Sequence, residues 1–359
     1  METWEYDVAV IGCGPAGATL ARLLDEGLRV VVIDPKTRQA DSFRKPCGGL
    51  LSEDAQKALS RYDLTLPKAL LVDPQIFSVR TLDAGNGCLR HYRRFYLNMD
   101  RAEFDFWMAS MIPSRVSRIT GQCTQLERQG EGFCLRLRTE QGEQSLRCRY
   151  VVGADGALSV VRRELFPHRP LPCKVAIQQH FAQQKENPFY SCVFDRQTSK
   201  ECSWSVHKDG VMIFGGVFEK QGCRAAFEEQ KRRLRAYGFS LEEPIRTEAC
   251  AVGCPRRFKH FLCGDKGAFL IGEAAGFISP SSYEGISWAI RSAEALAKAL
   301  RPDQRHAEKQ YRRYTAFLRI QLMVKVLKRP FMYVPWLRTA VMKSGLSAIA
   351  VKKMTENDR

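Results

Sequence analysis

The apolar run in "YDVAVIGCG" is uninterrupted around Val8, Val10 and Ile11, as a strand buried on both faces requires. It stops at Gly12. The following stretch carries Ala18, Leu20, Ala21 and Leu24 at spacings that share one side of a helix. "LRVVVIDP" repeats the pattern and predicts a second buried strand, Arg29 to Asp34. Two later runs behave alike. Tyr150 to Val152 breaks at a glycine turn, and Ala268 to Ile271 breaks at Gly272, ahead of a long helix that begins after Glu284-Gly285-Ile286 and ends at Leu300. Between residues 171 and 260 the period changes. "CKVAIQQHFA", "FYSCVFD" and "CSWSVHKDGVMIFGGVF" read as antiparallel strands, with Lys208-Asp209-Gly210 as a hairpin turn. Past residue 301, Tyr314, Phe317, Ile320, Gln321 and Val324 recur at helical spacing, and Pro330 and Pro335 break the pattern.

Composition narrows the class. With 359 residues, 45% hydrophobic and 26% charged, the chain is an ordinary globular one that suits two domains and needs no staples. Its 13 cysteines are odd in number and lack the spacing of a disulfide framework. The start passes directly into a strand without the features of a signal peptide, so reduced, mostly buried thiols and a cytoplasmic location are expected. Cys250, Cys254 and Cys263 lack a fourth ligand at usable spacing, and no metal is expected. No apolar run is long enough to span a membrane. Residues 301–359 hold 14 Lys and Arg against 4 Asp and Glu, which is ten of the net charge of +17. The basic surface is therefore mainly the tail.

The chemistry begins at the first turn. In Gly12-Cys13-Gly14-Pro15-Ala16-Gly17, the first glycine permits the tight turn, Gly14 lets backbone approach a pyrophosphate, and Gly17 lets helix and strand pack closely. The helix N-terminus can hold the phosphates. Asp34 follows Gly12 by 22 residues, the distance at which an acid accepts hydrogen bonds from an adenosine ribose. Strand, glycines, helix and acid together specify a dinucleotide site, without deciding between NAD and FAD. "RYVVGADGALSVVRREL" adds an Asp155-Gly156 turn, with Ser159 and Arg162 on a helical start. "GAFLIGEAAGFISPSSYEGIS" adds Gly272, Glu273 and Gly276 at a strand end, then Glu284-Gly285-Ile286 at a helix start. An acid at a strand end can bind a ribityl hydroxyl, and helix N–H groups can face the pyrimidine end of a flavin.

These three motifs, in this order, resemble the flavoprotein group that includes aromatic hydroxylases, flavin halogenases and geranylgeranyl reductases. The resemblance implies an α/β fold with FAD as cofactor: a discontinuous Rossmann-type FAD-binding domain over residues 1–70, 95–170 and 260–300, interleaved with a mainly antiparallel β-sheet substrate domain over 71–94 and 171–259, and followed by a basic helical region, 301–359. It implies Asp34 at the adenosine ribose and Glu273 at the ribityl or pyrophosphate region. Arg101, in "MDRAEFDFW", matches the arginine such enzymes place near FAD; the plainer reading is a surface helix cation paired with Asp105. Two positions depart from the group, which usually has Asp at Glu273 and Gly at Tyr283.

Lys45-Pro46-Cys47-Gly48-Gly49 resembles the KxCGG segment of geranylgeranyl reductases, which lies over the flavin. There the glycines admit the ring. Cys47 either supplies a proton to a substrate carbon or fills space, and Lys45 and Arg44 can raise its reactivity. "DPQIFSV", "VAIQQ" and "PFYSCVFD" tighten the resemblance to that superfamily across residues 45 to 288. "CSWSVH" stands where those reductases carry YxWxFP, and only Trp204 matches, as a pocket wall or as strand packing. The mismatch weakens a C20 prenyl substrate, and WxWxIP of the halogenases fits no better. His207 reads as a strand-end residue. The implied activity is reduction of an apolar, isoprenoid-like or other lipid substrate. The rivals are an NAD(P)H- and O₂-using monooxygenase and a non-catalytic flavin-binding regulator. No second GxGxxG unit is present, so electrons come from transient NAD(P)H or a small redox protein. For the tail two compatible readings stand: an interfacial anchor touching an anionic membrane at its inner face, and a helical cap with a solvated basic face. No motif supports nucleic-acid binding.

Overall fold

The computed structural model describes residues 4–39, 45–182, 189–302 and 306–350. The uninterrupted apolar strands lie in parallel. Tyr6–Ile11 runs between Val30–Asp34 and Gly142–Gly153, with Ser117–Gln129 beyond the one and Ala268–Leu270 beyond the other. Val8, Ala9 and Val10 are all fully buried, and since consecutive strand residues face opposite ways, both faces of this sheet are covered. The helix Pro15–Leu23 packs against Ile286–Ala299. One part of this sheet was not legible. Ser117–Gln129, Gly132–Thr139 and Gly142–Gly153 form an antiparallel meander whose charged, half-exposed alternation gives a weak apolar signal.

The second sheet draws strands from 50–51, 76–98, 173–253 and 348–349. Cys173–Ala182, Val211–Phe218, Cys202–Lys208 and Tyr190–Phe194 pair antiparallel in that order, as expected; Tyr190–Phe194 also runs parallel to Ile76–Asp83, and Pro244–Gly253 adds an antiparallel strand beside Cys173–Ala182. Asp209 and Gly210 have φ of 44° and 78°, so the two-residue turn after Lys208 matches the twist of its hairpin.

Three helices, Ala307–Tyr314, Ala316–Tyr333 and Pro335–Ser344, follow. Pro330 does not end its helix but lies in the last turn, and Pro335 opens the next one, where its missing N–H costs nothing. Tyr311, Leu318 and Leu322 enter the first core, and the Tyr311 hydroxyl donates to Leu270 O at 2.9 Å. The set noted at helical spacing does not pack inward as a unit. Phe317, Ile320 and Val324 face solvent, and Gln321 accepts a hydrogen bond from Arg291. Arg329 reaches into the second sheet. It and Lys174 both pair with the buried carboxylate of Glu201, at 2.8 and 3.0 Å. Arg338 does the same at Asp83, at 2.8 Å. The tail thus caps the first sheet and pins the second.

Candidate cofactor and substrate site

A cavity of about 980 Å³ runs between the two sheets, at the upper end of small-molecule sites. Its first end is built by backbone. Gly12 has φ of 98°, and a Cβ there would stand 2.6 Å from Ala154 O; at Gly17 a Cβ would stand 1.9 Å from Gly12 O. Both glycines are therefore structural demands of the turn. Gly14 differs: a Cβ there would meet only Lys36 Nζ, at 4.0 Å, so its backbone faces open cavity. Pro15 and Ala16 complete this rim. Asp34 accepts from the N–H of Cys13 and, at 2.8 Å, of Lys36, which orients its carboxylate at the rim.

Asp155 and Gly156 face the same end. Asp155 Oδ2 accepts from Val160 N at 2.7 Å, while its buried Oδ1 has no partner among the described residues. Burial pushes this carboxyl up to about 6. An acceptor left open beside the Gly12 turn is an observation that fits a ligand hydroxyl.

The middle of the cavity is the stretch from Lys45 to Gly49. Lys45 pairs with Glu273, whose other oxygen accepts from Gly253 N at 2.8 Å. Lys45 is thus committed to that carboxylate, and Arg44 lies outside the described residues. Cys47 Sγ accepts from Gly49 N at 3.4 Å and lies near the Arg101 guanidinium. Arg101 is a largely buried wall residue rather than a surface cation, and it also pairs with Asp105 at 3.0 Å. Burial opposes its charge, but Asp105 and Cys47 outweigh that and hold its pKa up.

Gly48 and Gly49 differ. A Cβ at Gly48 would make only ordinary contact with Trp204, at 3.7 Å, whereas one at Gly49, where φ is 60°, would strike Met99 O at 2.4 Å. Trp204 itself lies over Gly215 on the neighbouring strand, with its indole Nε1 buried and unpartnered at the cavity. It is a wall residue. Lys208, read from sequence only as a turn, is a finding. Its ammonium donates to Asn98 Oδ1 and Met99 O, both at 2.6 Å, and to Gly49 O at 3.2 Å, tying the hairpin to the glycine loop. Burial brings it down to about 8.

Glu284, Gly285 and Ile286 also line the cavity, and the helix starting at Ile286 has no side-chain cap, so its first N–H groups are free for a ligand. Glu284 accepts from Tyr96 Oη at 2.8 Å. Tyr283, at the position where glycine is usual, has φ of 58° and takes the left-handed conformation at a cost of roughly 1–2 kcal/mol. Three expected site residues stand off the wall. Gly17 packs the first turn, and Gly272 and Gly276 have φ of 55° and 83°, with Ala16 and His260 O where a Cβ would be. His207 also lies off the wall.

The far end combines Tyr96, Tyr190, Cys192, Phe194, Met332 and Met342, from strands and the tail. Sequence reading missed it. Among the described residues there is no metal-ligating cluster.

The family model described as lycopene cyclase protein matches residues 7–182. Protein CbrA of Escherichia coli O6:H1 is 43% identical over 96% of this chain and 94% of its own length, and the Shigella sonnei protein of that name is 42% identical over 96% and 98%. The chain belongs to the CbrA family. This member of the CbrA family shares its fold with a geranylgeranyl bacteriochlorophyll reductase-like protein of Thermoplasma acidophilum, at a TM-score of 0.78 and 16% identity over 98% and 94% of the two chains. It shares it also with a probable FAD-dependent monooxygenase of Pseudomonas aeruginosa, at 0.68 and 20% over 94% and 99%. The fold expected from the three motifs is therefore the observed one. The open Asp155 acceptor, the bare Gly14 backbone and the uncapped helix fit FAD along this wall.

Proposed function

We propose that this CbrA-family chain is an FAD-dependent oxidoreductase, and specifically a reductase of an apolar, isoprenoid-like or other lipid substrate. The observation that carries the reading is the continuity of one cavity. It leads from a phosphate-binding turn, across Cys47, Gly48 and Gly49, to a far end walled by Phe194, Phe331, Met332 and Met342. FAD bound along the first part supplies hydride chemistry.

The chain's own groups do the rest. Gly14 and the helix at Ile286 bind phosphate and ring through backbone N–H groups, and Asp34 and Asp155 accept ribose or ribityl hydroxyls. Trp204 and Gly48 set the width of the slot. Cys47, in the middle of the cavity, gives its Sγ proton to a substrate carbon. The Gly49 N–H points at that sulfur, and the Arg101 guanidinium lies near it. Electrons arrive from NAD(P)H or a small redox protein.

The test is anaerobic. Purified protein with reduced flavin is mixed with polyprenyl lipid extract, and the flavin spectrum is followed. Reoxidation without oxygen supports the reductase. A flavin that stays reduced until air is admitted, then hydroxylates an aromatic, replaces it with a monooxygenase; retained flavin with no turnover on any acceptor leaves a regulatory binder. Cys47→Ala should keep the flavin and lose about 10²-fold or more of the lipid-dependent rate. An unchanged rate would make Cys47 a packing residue.

A further inference from the structure

The helix Ala316–Tyr333 turns a long apolar stripe outward. Phe317, Ile320, Val324, Leu327 and Phe331 follow one another at steps of three and four and form a single stripe, and all five are exposed, Phe317 at 63% and Leu327 at 70%. Leu318 and Leu322 serve the core from the opposite side. The next helix extends the apolar surface with Trp336, 70% exposed, and Val341. Contiguous apolar surface of this kind marks an interaction site.

Charge selects the occupant. The three tail helices carry nine Lys and Arg and one acid, Glu308. Two of the arginines are consumed by Glu201 and Asp83. Arg313, one turn before Phe317, and Lys328 and Lys343 are exposed, with no carboxylate partner among the described residues. A second copy docked through the same stripe would bring these cations against one another. An anionic bilayer would neutralise them while taking up the stripe. No helix among the described residues is long and apolar enough to cross a membrane, so the contact is interfacial. The surface is also continuous with the cavity, because Phe331, Met332, Val341 and Met342 line its far end.

We infer that this face docks on an anionic lipid bilayer, with the apolar end of the cavity opening toward it so that a lipid passes sideways from membrane to site. Docking itself does not depend on the reaction; the passage rests on the reductase reading.

The full-length protein is floated with vesicles of phosphatidylcholine alone or mixed with phosphatidylglycerol. Binding to the mixed vesicles, weakened by salt, and a blue shift of tryptophan emission that Trp336→Phe removes are expected. Phe317→Ser with Leu327→Ser should lower partitioning by about tenfold or more. Lys328→Glu with Lys343→Glu should lower it at least about 25-fold, near fivefold for each lost cation. These positions are exposed, so circular dichroism should match the parent. Failure to bind, equal binding to neutral vesicles, or full binding by both double variants would overturn the inference. A dimer that Leu327→Ser dissolves would overturn it too, giving the face to a second copy. Vesicle binding without lipid reduction would retire the reductase reading and leave the docking surface standing.

Discussion

The two ends of the cavity are made differently. The end at the first turn is largely a backbone construction: Gly12, Gly14 and Gly17 set it, and Asp34 and the Ala154-Asp155 turn meet it from elsewhere in the chain. The far end is assembled from side chains as distant as Tyr96, Tyr190, Trp204 and Met342, and it is held by ion pairs from the tail. A backbone site tolerates almost no change of glycine but is indifferent to its surroundings. A side-chain site can change residue by residue, yet depends on everything that holds it.

The sharpest way to break the comparison is Gly17→Ala. The new methyl would sit 1.9 Å from Gly12 O, so a loss of about 3 kcal/mol or more and no retained flavin are expected in urea unfolding and absorbance. Near-normal stability would mean that the turn yields, and the backbone account would fall. Arg329→Ala probes the other end. It removes one cation from a carboxylate that is 1% exposed, at a cost of about 3 kcal/mol, with the first end keeping its flavin affinity. Loss of flavin at equal stability would show that the ends are coupled.

Gly14→Ala sharpens the contrast within one motif. Stability should stay within about 0.5 kcal/mol, because nothing occupies the space, while flavin affinity drops about tenfold or more by fluorescence titration. The smallest effect is in pH. Asp155 titrates near 6 in the fold, above its usual value, so its contribution to stability is present below the unfolded value and lost as pH rises through about 6. A hydroxyl donated to Oδ1 favours the carboxylate, so flavin affinity should climb through the same range. Asp155→Asn should flatten both curves; parallel slopes in the two proteins would remove Asp155 from the site.

What was legible follows from the same division. The turn at Gly12–Gly17 and the acid at Asp34 sit where local backbone geometry demands them, so spacing alone exposes them. Tyr283 is the instructive departure: a left-handed position shows in sequence only when glycine fills it. Lys208 was opaque because a lysine beside a hairpin turn is ordinarily solvated, and only the fold brings Gly49 O and Met99 O within its reach. The tail shows a further limit. Helical period identifies a stripe but not its partner, and here the Leu318 and Leu322 side meets the core while the Phe317 side meets solvent.

Glu201 gives the molecule a direction in time. Its carboxylate gathers Lys174, Arg256 and Arg329, three cations spread over more than 150 positions of the chain. During synthesis the second sheet can close on Glu201 well before Arg329 has left the ribosome. Until then Glu201 has Lys174 and Arg256 beside it but lacks Arg329. Arrival of the last helices completes both the ion cluster and the far wall of the cavity, so that wall forms only once nearly all of the chain has been translated.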